Sequence, residues 1–159
     1  MRLNARNRRT ASARECGADG GTSLHHKAKL RAWTKKGINM IFRDNRHEQL
    51  YKSFYSRMRS HDCYFQPVAY LLALDTVCRE HAADIFNFDE CCITPKCLNE
   101  GWQTSTSLKT CRIAFNLFNG YCYDQDDVSS DYTPYELFCT GYAPYYWQAI
   151  KLRYPEYTE

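Results

Sequence analysis

Apolar side chains recur every three or four residues through most of the chain after residue 40, the spacing that puts them on one face of an α-helix. The pattern predicts helices over 44–59, around 65–72, over 75–86, 105–119 and 144–154, a short helix opened by 133–136, and a helical turn at 94–98. The sequence has no alternation of apolar and polar residues long enough to predict a strand. We therefore expect an all-α fold, a compact single domain of five or six mixed-length helices over residues 40–159.

Residues that start or stop helices support these boundaries. Asp44 is placed to cap the first helix, and Gly120 follows the helix over 105–119 as a stop. Ser105 or Ser107 is expected to cap the start of that helix. Four of its side chains share one face, which we expect to point into the core: Leu108, Cys111, Phe115 and Phe118.

Residues 1–39 do not share this pattern. Within residues 1–36, ten Lys or Arg stand against two acidic residues, a net charge of +8. The rest of the chain has eleven basic and sixteen acidic residues, a net charge of −5. A segment so charged and so poor in large apolar side chains cannot bury enough surface to offset its chain entropy. We expect residues 1–39 to be disordered.

Three interpretations of this basic segment stay open. In the favoured one, translation begins at Met40 and the preceding residues result from a start site assigned too far upstream, because the apolar pattern begins abruptly at Met40. In the second, the segment is an arm attracted to nucleic acid or a membrane, since clustered Lys and Arg gain affinity by releasing counterions from phosphates. In the third it is a targeting peptide, although it lacks the apolar core of a secretory signal.

Nine cysteines occur, at positions 16, 63, 78, 91, 92, 97, 111, 122 and 139. Their odd number, their apolar helical surroundings and the lack of a secretory signal favour reduced thiols over a disulfide framework. The longest apolar run, residues 68–74, is shorter than the ~18 residues that span a bilayer. We therefore expect a soluble, cytoplasmic protein with no membrane partner.

The cysteines also offer one weak metal pattern. Zinc takes four nitrogen or sulfur ligands in a tetrahedron. The candidate ligands are Cys78, His81, Cys92 (or Cys91) and Cys97. Their spacing matches no paired knuckle pattern, so thiols that pack in the core are the favoured interpretation.

Other candidate motifs indicate loops rather than catalytic sites. His61, Asp62 and Cys63 place a thiol beside an imidazole, yet their position predicts the turn between the first two helices, with Asp62 as an N-cap. Residues 124–131 are acidic, but an EF-hand loop needs Glu where the chain has Tyr135. We predict no catalytic residue and no cofactor, which favours a protein that is not an enzyme.

The aromatic C-terminal half offers one candidate interaction surface. Lys109, Arg112 and Asn116 form a polar stripe opposite the apolar face of the helix over 105–119, although such a stripe is typical of any solvated helix face. Aromatic residues are enriched where proteins bind partners, but in a small domain many of them also serve the core. The candidate surface consists of Trp102, Gln103, Lys109, Arg112, Asn116, Tyr145 and Tyr146.

Several motifs taken together resemble an uncharacterised family of small proteins of unknown function. They are Cys92-Ile93-Thr94-Pro95, Gly101-Trp102-Gln103-Thr104-Ser105, Ala114-Phe115-Asn116-Leu117-Phe118-Asn119, and the stretch from Tyr142 to Pro155. The family resembled occurs in Gram-positive bacteria, notably gut Clostridia, and in their phages and conjugative elements. The resemblance covers about residues 40–159 and implies a start near Met40. It implies no activity, so no functional residue carries over.

Three hypotheses of function stay open. The leading one is a non-enzymatic helical interaction protein of a bacterial mobile element, which binds a protein partner through its aromatic C-terminal half. The second is a nucleic-acid-associated accessory protein that uses the basic segment 1–39. The third is a small zinc-binding protein or enzyme.

Overall fold

The computed structural model describes residues 40–124, 127–128 and 130–157. Within these ranges seven α-helices occur: α1 (Asn45–Arg57), α2 (Phe65–Leu74), α3 (Thr76–Glu80), α4 (Ala82–Ile85), α5 (Ser105–Asn119), α6 (Pro134–Phe138) and α7 (Ala143–Arg153). Two pairs of two-residue antiparallel strands accompany them: β1 (Phe86–Asn87) with β2 (Cys92–Ile93), and β3 (Tyr123–Asp124) with β4 (Asp127–Val128). Short 3₁₀ helices cover Pro95–Asn99, Ser130–Tyr132 and Pro155–Tyr157. The predicted all-α class is confirmed, whereas the basic segment 1–39 lies outside the described residues.

Helix α2 lies at the centre of the fold. It contacts α1, α5 and α7, and all of its residues except Gln66 are buried. A ten-residue helix without a single charge is apolar on every side, so it is stable only when other elements cover it all round. The three flanking helices provide that cover and contribute the rest of the main core, including Phe54, Phe115 and Tyr146.

The helix predicted over 75–86 is divided in two. His81 leaves the helical conformation between α3 and α4, and Phe86 is already extended. The reason is a hairpin that begins at Phe86: the Asn87 side chain accepts hydrogen bonds from the backbone of Asp89 and Glu90, both at 3.0 Å, and closes the turn. This division raises the helix count above the five or six expected.

Helix α5 follows the predicted boundaries closely. Its N-cap is Thr104, one residue before the predicted Ser105, and Thr104 and Ser107 form a reciprocal capping box. Gly120 ends the helix in the left-handed conformation, with φ of 78°. Of the four side chains predicted to face inward, Cys111 and Phe115 are fully buried, and the other two are half-buried against the core.

Candidate functional site

An open groove of about 510 Å³ forms beside the break between α3 and α4. His81 lies at that break, and the 3₁₀ helix Pro95–Asn99 and the turn after it contribute further lining. The polar and aromatic lining side chains are His81, Asp84, Thr94, Lys96, Glu100 and Trp102. The fold therefore collects titratable and aromatic groups from separate segments of the chain around one cavity.

Two neighbours fix the orientation of the His81 ring. It stacks flat on the indole of Trp102, with ring centroids 4.0 Å apart and planes inclined by 1°. Its Nδ1 lies 2.9 Å from Oδ2 of Asp84. Because a carboxylate accepts hydrogen bonds, Nδ1 carries a proton in this pair. The arrangement provides an imidazole held in one orientation at the groove.

Three buried thiols, which we call the thiol cluster (Cys78, Cys97 and Cys111), lie next to this groove. Cys97 belongs to the groove lining and also hydrogen bonds with Cys111. The Sγ atoms of Cys78 and Cys111 are 3.9 Å apart. The side-chain amide of Gln103 donates to the Cys97 carbonyl oxygen at 3.0 Å and to Cys111 Sγ at 3.7 Å. The cluster thus joins α3, α5 and the 3₁₀ helix between them.

Hydrogen bonding makes the three thiols unequal. Donation to Cys111 raises the pKa of the Cys78 and Cys97 thiols, and burial raises the pKa of both further. The thiols of Cys78 and Cys97, together with the amide of Gln103, lower the pKa of Cys111 because they stabilise its thiolate. Cys97 is therefore a protonated thiol and a poor nucleophile toward anything bound in the groove.

The structure does not assemble the candidate zinc site. Cys78 and Cys97 point to Cys111, and His81 stacks on Trp102 instead. Cys92 lies in the hairpin, where its thiol is 3.7 Å from the Glu90 carboxylate. Its alternative, Cys91, is buried beneath the same hairpin and hydrogen bonds to the Phe88 carbonyl oxygen at 3.3 Å. In the part of the chain that the structure describes, no group of three or more His, Cys, Asp or Glu side chains is placed to hold a metal ion.

The predicted polar stripe is used inside the molecule rather than offered to a partner. Lys109, Arg112 and Asn116, which we call the polar clasp, bind the segment that follows α5. Their partners are the carbonyl oxygen of Cys139 for Lys109 (3.1 Å), the carboxylate of Asp131 for Arg112 (2.7 Å) and the carbonyl oxygen of Tyr121 for Asn116 (3.3 Å). These three polar groups therefore hold Tyr121, Asp131 and Cys139 against α5, and their use as a binding surface stays a prediction.

Other members of the predicted interaction surface are also turned inward. Tyr146 is fully buried, and its hydroxyl hydrogen bonds with that of Thr110 at 2.7 Å. Gln103 is engaged by the thiol cluster and by the Ser107 hydroxyl. Tyr145 is half-buried, with its ring edge toward that of His47. Trp102 is partly exposed at the groove, and the interaction surface itself stays a prediction.

A different group of aromatic side chains is exposed on α7, directly after it and directly before α2. We call it the aromatic face: Tyr64 (45% exposed), Trp147 (51%), Tyr154 (36%) and Tyr157 (80%). Arg153 joins two of these rings, because its guanidinium carbon lies 3.8 Å from the ring centroid of Tyr64 and 4.7 Å from that of Tyr154. The same guanidinium group donates to the Leu117 carbonyl oxygen at 2.7 Å, which anchors the face to α5.

Comparison with protein families matches residues 38–159 to DUF6075, a family of unknown function. The chain belongs to the DUF6075 family. The match starts close to the domain boundary predicted at residue 40 and covers the motifs on which the resemblance rests. Comparison with curated proteins and with solved structures found no match.

Membership in DUF6075 defines the domain without assigning a role to any of its residues. Among the described residues of this DUF6075 protein, no helix is long and apolar enough to cross a membrane. The basic segment on which the nucleic-acid hypothesis depends lies outside those residues. The functional candidates in this family member are thus the groove at His81 and the aromatic face.

The sequence showed neither candidate as a unit. His81 and Asp84 are only three residues apart, but Trp102 meets them because the hairpin β1–β2 folds the chain back. Cys111 was read correctly as inward-facing, but its pairing with Cys78 requires the packing of α3 on α5. Tyr64 and Tyr154 are ninety positions apart, so their shared contact with Arg153 has no local signal.

Proposed function

We propose that this DUF6075 protein is a non-enzymatic binding module that recognises a partner protein through its aromatic face. The observation that carries the proposal is the exposure of Trp147 and of three Tyr rings, two of which lie against Arg153. Trp, Tyr and Arg are the side chains most enriched among residues that dominate binding energy at protein interfaces. Exposed apolar surface concentrated in one region marks interaction sites, whereas scattered exposure does not.

The geometry of α7 supports a preformed surface. Trp147 and Lys151 are four residues apart and lie on one side of the helix, and Tyr154 follows as its C-cap. Arg153 is itself anchored by its hydrogen bond to the carbonyl oxygen of Leu117, and it holds the two tyrosine rings in place. These rings therefore need little further ordering when a partner binds. A preorganised surface loses less conformational entropy on binding and therefore binds more tightly.

The origin of the chain in a bacterial mobile element is part of the same proposal. Its support is the resemblance to proteins of phages and conjugative elements. The genes on either side of this one test it: genes for integration, conjugation or phage structure support this origin, and ordinary metabolic genes argue against it.

The binding proposal is tested by photo-crosslinking in the source organism. A benzophenone amino acid placed at Trp147 is expected to crosslink a discrete partner. The matched control places the same group at Tyr135, which is 78% exposed on α6 but far from the aromatic face in sequence.

Substitution then tests whether the rings supply the affinity. The partner identified by crosslinking is expected to bind a Trp147→Ala variant at least ~10-fold more weakly than the wild type, the loss typical of a central interface residue. A Tyr135→Ala variant is expected to bind unchanged. Equal crosslinking from both positions, or unchanged affinity of Trp147→Ala, contradicts the proposal.

A further inference from the structure

The thiol cluster stands apart from the aromatic face and has no part in the proposed binding function. Its members are 0%, 2% and 1% exposed for Cys78, Cys97 and Cys111. Cys111 is central, because its sulfur hydrogen bonds with both other thiols and accepts from the amide of Gln103 at 3.7 Å. Two thiols and an amide around one sulfur are more than apolar packing requires.

The distance between two of these sulfurs is short enough for a bond to form with a modest shift. The Sγ atoms of Cys78 and Cys111 are 3.9 Å apart, whereas a disulfide needs about 2.05 Å. Both residues lie on helices that pack against each other, α3 and α5, so their sulfurs are held near one another permanently.

We propose that Cys78 and Cys111 form an oxidisable dithiol, a modification site that hydrogen peroxide converts to an intramolecular disulfide. In the first step the Cys111 thiol reacts with one peroxide molecule to give a sulfenic acid and water. In the second step the Cys78 sulfur attacks the sulfenic sulfur and releases a second water. Two thiols lose two electrons and two protons in total, and one peroxide is reduced to two waters.

The surroundings of Cys111 suit the first step. A sulfur that accepts a hydrogen bond from an amide and hydrogen bonds with two further thiols has more thiolate character than a thiol in an apolar pocket, and the thiolate is the reactive form. Cys97 is both a neighbour of Cys111 and part of the groove lining, so the cluster adjoins an open groove. Peroxide is close to water in size, whereas larger disulfide oxidants cannot reach sulfurs this deeply buried.

The bridge would act on the groove as well as on the helices. Cys78 lies three residues before His81, and Gln103, which hydrogen bonds to Cys111, directly follows Trp102. Bond formation draws the two sulfurs together by nearly 2 Å. It therefore shifts the backbone next to His81 on one side and next to Trp102 on the other. Oxidation is expected to disturb the flat contact between His81 and Trp102.

Peptide mapping of the folded full-length protein after peroxide treatment tests the bridge. The expected product is a monomer lighter by two hydrogens, with the peptides of Cys78 and Cys111 linked. A Cys78→Ser variant is expected to lack this link, whereas Cys92→Ser, the control at a less buried thiol in the hairpin, is expected to keep it. A link from Cys111 to any other cysteine, or oxidation of Cys111 without a link, overturns the proposal.

Tryptophan fluorescence tests the effect on the groove. In a Trp33→Phe, Trp147→Phe background, Trp102 is the sole tryptophan, so its emission reports on the stack with His81. Peroxide is expected to change the emission intensity in that protein and to leave it unchanged after a further Cys78→Ser substitution. A mapped bridge with unchanged emission overturns the coupling to the groove.

Discussion

At the scale of single residues, His47 is the most constrained titratable group in the described chain. It is fully buried, and both ring nitrogens are engaged: the Arg43 backbone donates to Nδ1 at 3.1 Å, and Nε2 donates to the Tyr70 carbonyl oxygen at 2.9 Å. This pattern fixes the neutral tautomer, because a protonated ring would have to lose the bond from Arg43. Burial lowers the pKa of His47 to about 4, with a smaller contribution from the Arg79 charge.

This burial makes stability depend on pH. The pKa of His47 is about 4 in the folded state against 6.5 for an unperturbed histidine, so the unfolded chain binds the proton more readily. The contribution of neutral, buried His47 to the free energy of unfolding is fully present above pH 6.5 and is lost as the pH falls toward 4. It amounts to about 3 kcal/mol over that window.

Urea unfolding between pH 7 and pH 4 measures the effect. The free energy of unfolding of the wild type is expected to fall by about 3 kcal/mol more than that of a His47→Gln variant, which has no ionisable ring. Parallel pH profiles for the two proteins would show that His47 is not held neutral in the folded state.

Residue-scale chemistry also explains why adjacent aromatic residues differ so sharply. Tyr146 is fully buried and Trp147 is half exposed, although both are large aromatic side chains in the same turn of α7. Aromatic and apolar residues occur on all sides of this helix, so its periodicity does not identify a buried face. The sequence therefore predicts the helix, but it does not show that Trp147 rather than Tyr146 is the exposed residue.

At the scale of elements, helix ends were the most predictable features. Asp44 caps α1 by accepting from the His47 backbone at 2.6 Å, as its position indicates. Asp62 accepts from the backbone of Tyr64 and Phe65 in the turn before α2, although the N-cap position itself is held by Tyr64 rather than by Asp62 as predicted. Such caps involve neighbours in the sequence, so a single chain contains all the information needed to predict them.

The end of α5 provides an element-scale test. Gly120 has φ of 78°, whereas Gly141 has no positive φ, and a Cβ at either position meets nothing within 4 Å. Gly120→Ala is therefore expected to cost about 1 kcal/mol of unfolding free energy through backbone strain alone. Gly141→Ala is the control and is expected to change it by less than ~0.5 kcal/mol or to stabilise slightly.

Chemical denaturation of both glycine variants distinguishes strain from other causes. A Gly120→Asn variant is expected to recover part of the loss, because Asn tolerates the left-handed conformation better than Ala. Equal stability of the Gly120→Ala and Gly141→Ala variants would mean that the helix end adjusts to a side chain without cost.

Features that depend on contacts between distant segments were not predictable at this scale. The helix pattern over 75–86 continues through Phe86. In the structure, however, the backbone of Thr94 donates to the Ile85 carbonyl oxygen at 2.9 Å, and the chain forms a hairpin from Phe86 onward. The polar clasp likewise has the spacing of any solvated helix face. Only the positions of Tyr121, Asp131 and Cys139 beside α5 show that its side chains have partners.

At the scale of the whole molecule, stability is unevenly distributed. The centre is a closely packed set of helices around α2, whereas the described residues between α5 and α7 rest on α5 through the polar clasp and a few apolar contacts, such as those of Leu137 and Phe138. Segments with few buried apolar contacts open at lower free energy than the core. We therefore expect α6 to open in local fluctuations that leave α2 closed.

Hydrogen exchange followed by mass spectrometry checks this order. Amides of α6 are expected to exchange before those of α2, and an Arg112→Gln variant is expected to widen the gap by loosening the bond to Asp131. Lys52→Gln is the control, because Lys52 pairs only with Glu48 on the exposed side of α1. Simultaneous exchange of α6 and α2 would show that the clasp segment belongs to the same cooperative unit as the core.

The central position of α2 has a consequence for how the chain is made. On the ribosome this uncharged helix is completed early, but α7, which covers one of its sides, ends only at Arg153. Until α7 is complete, the nascent chain exposes an apolar, aggregation-prone segment to water. A premature stop before α7 would therefore yield an aggregation-prone product rather than a smaller working domain.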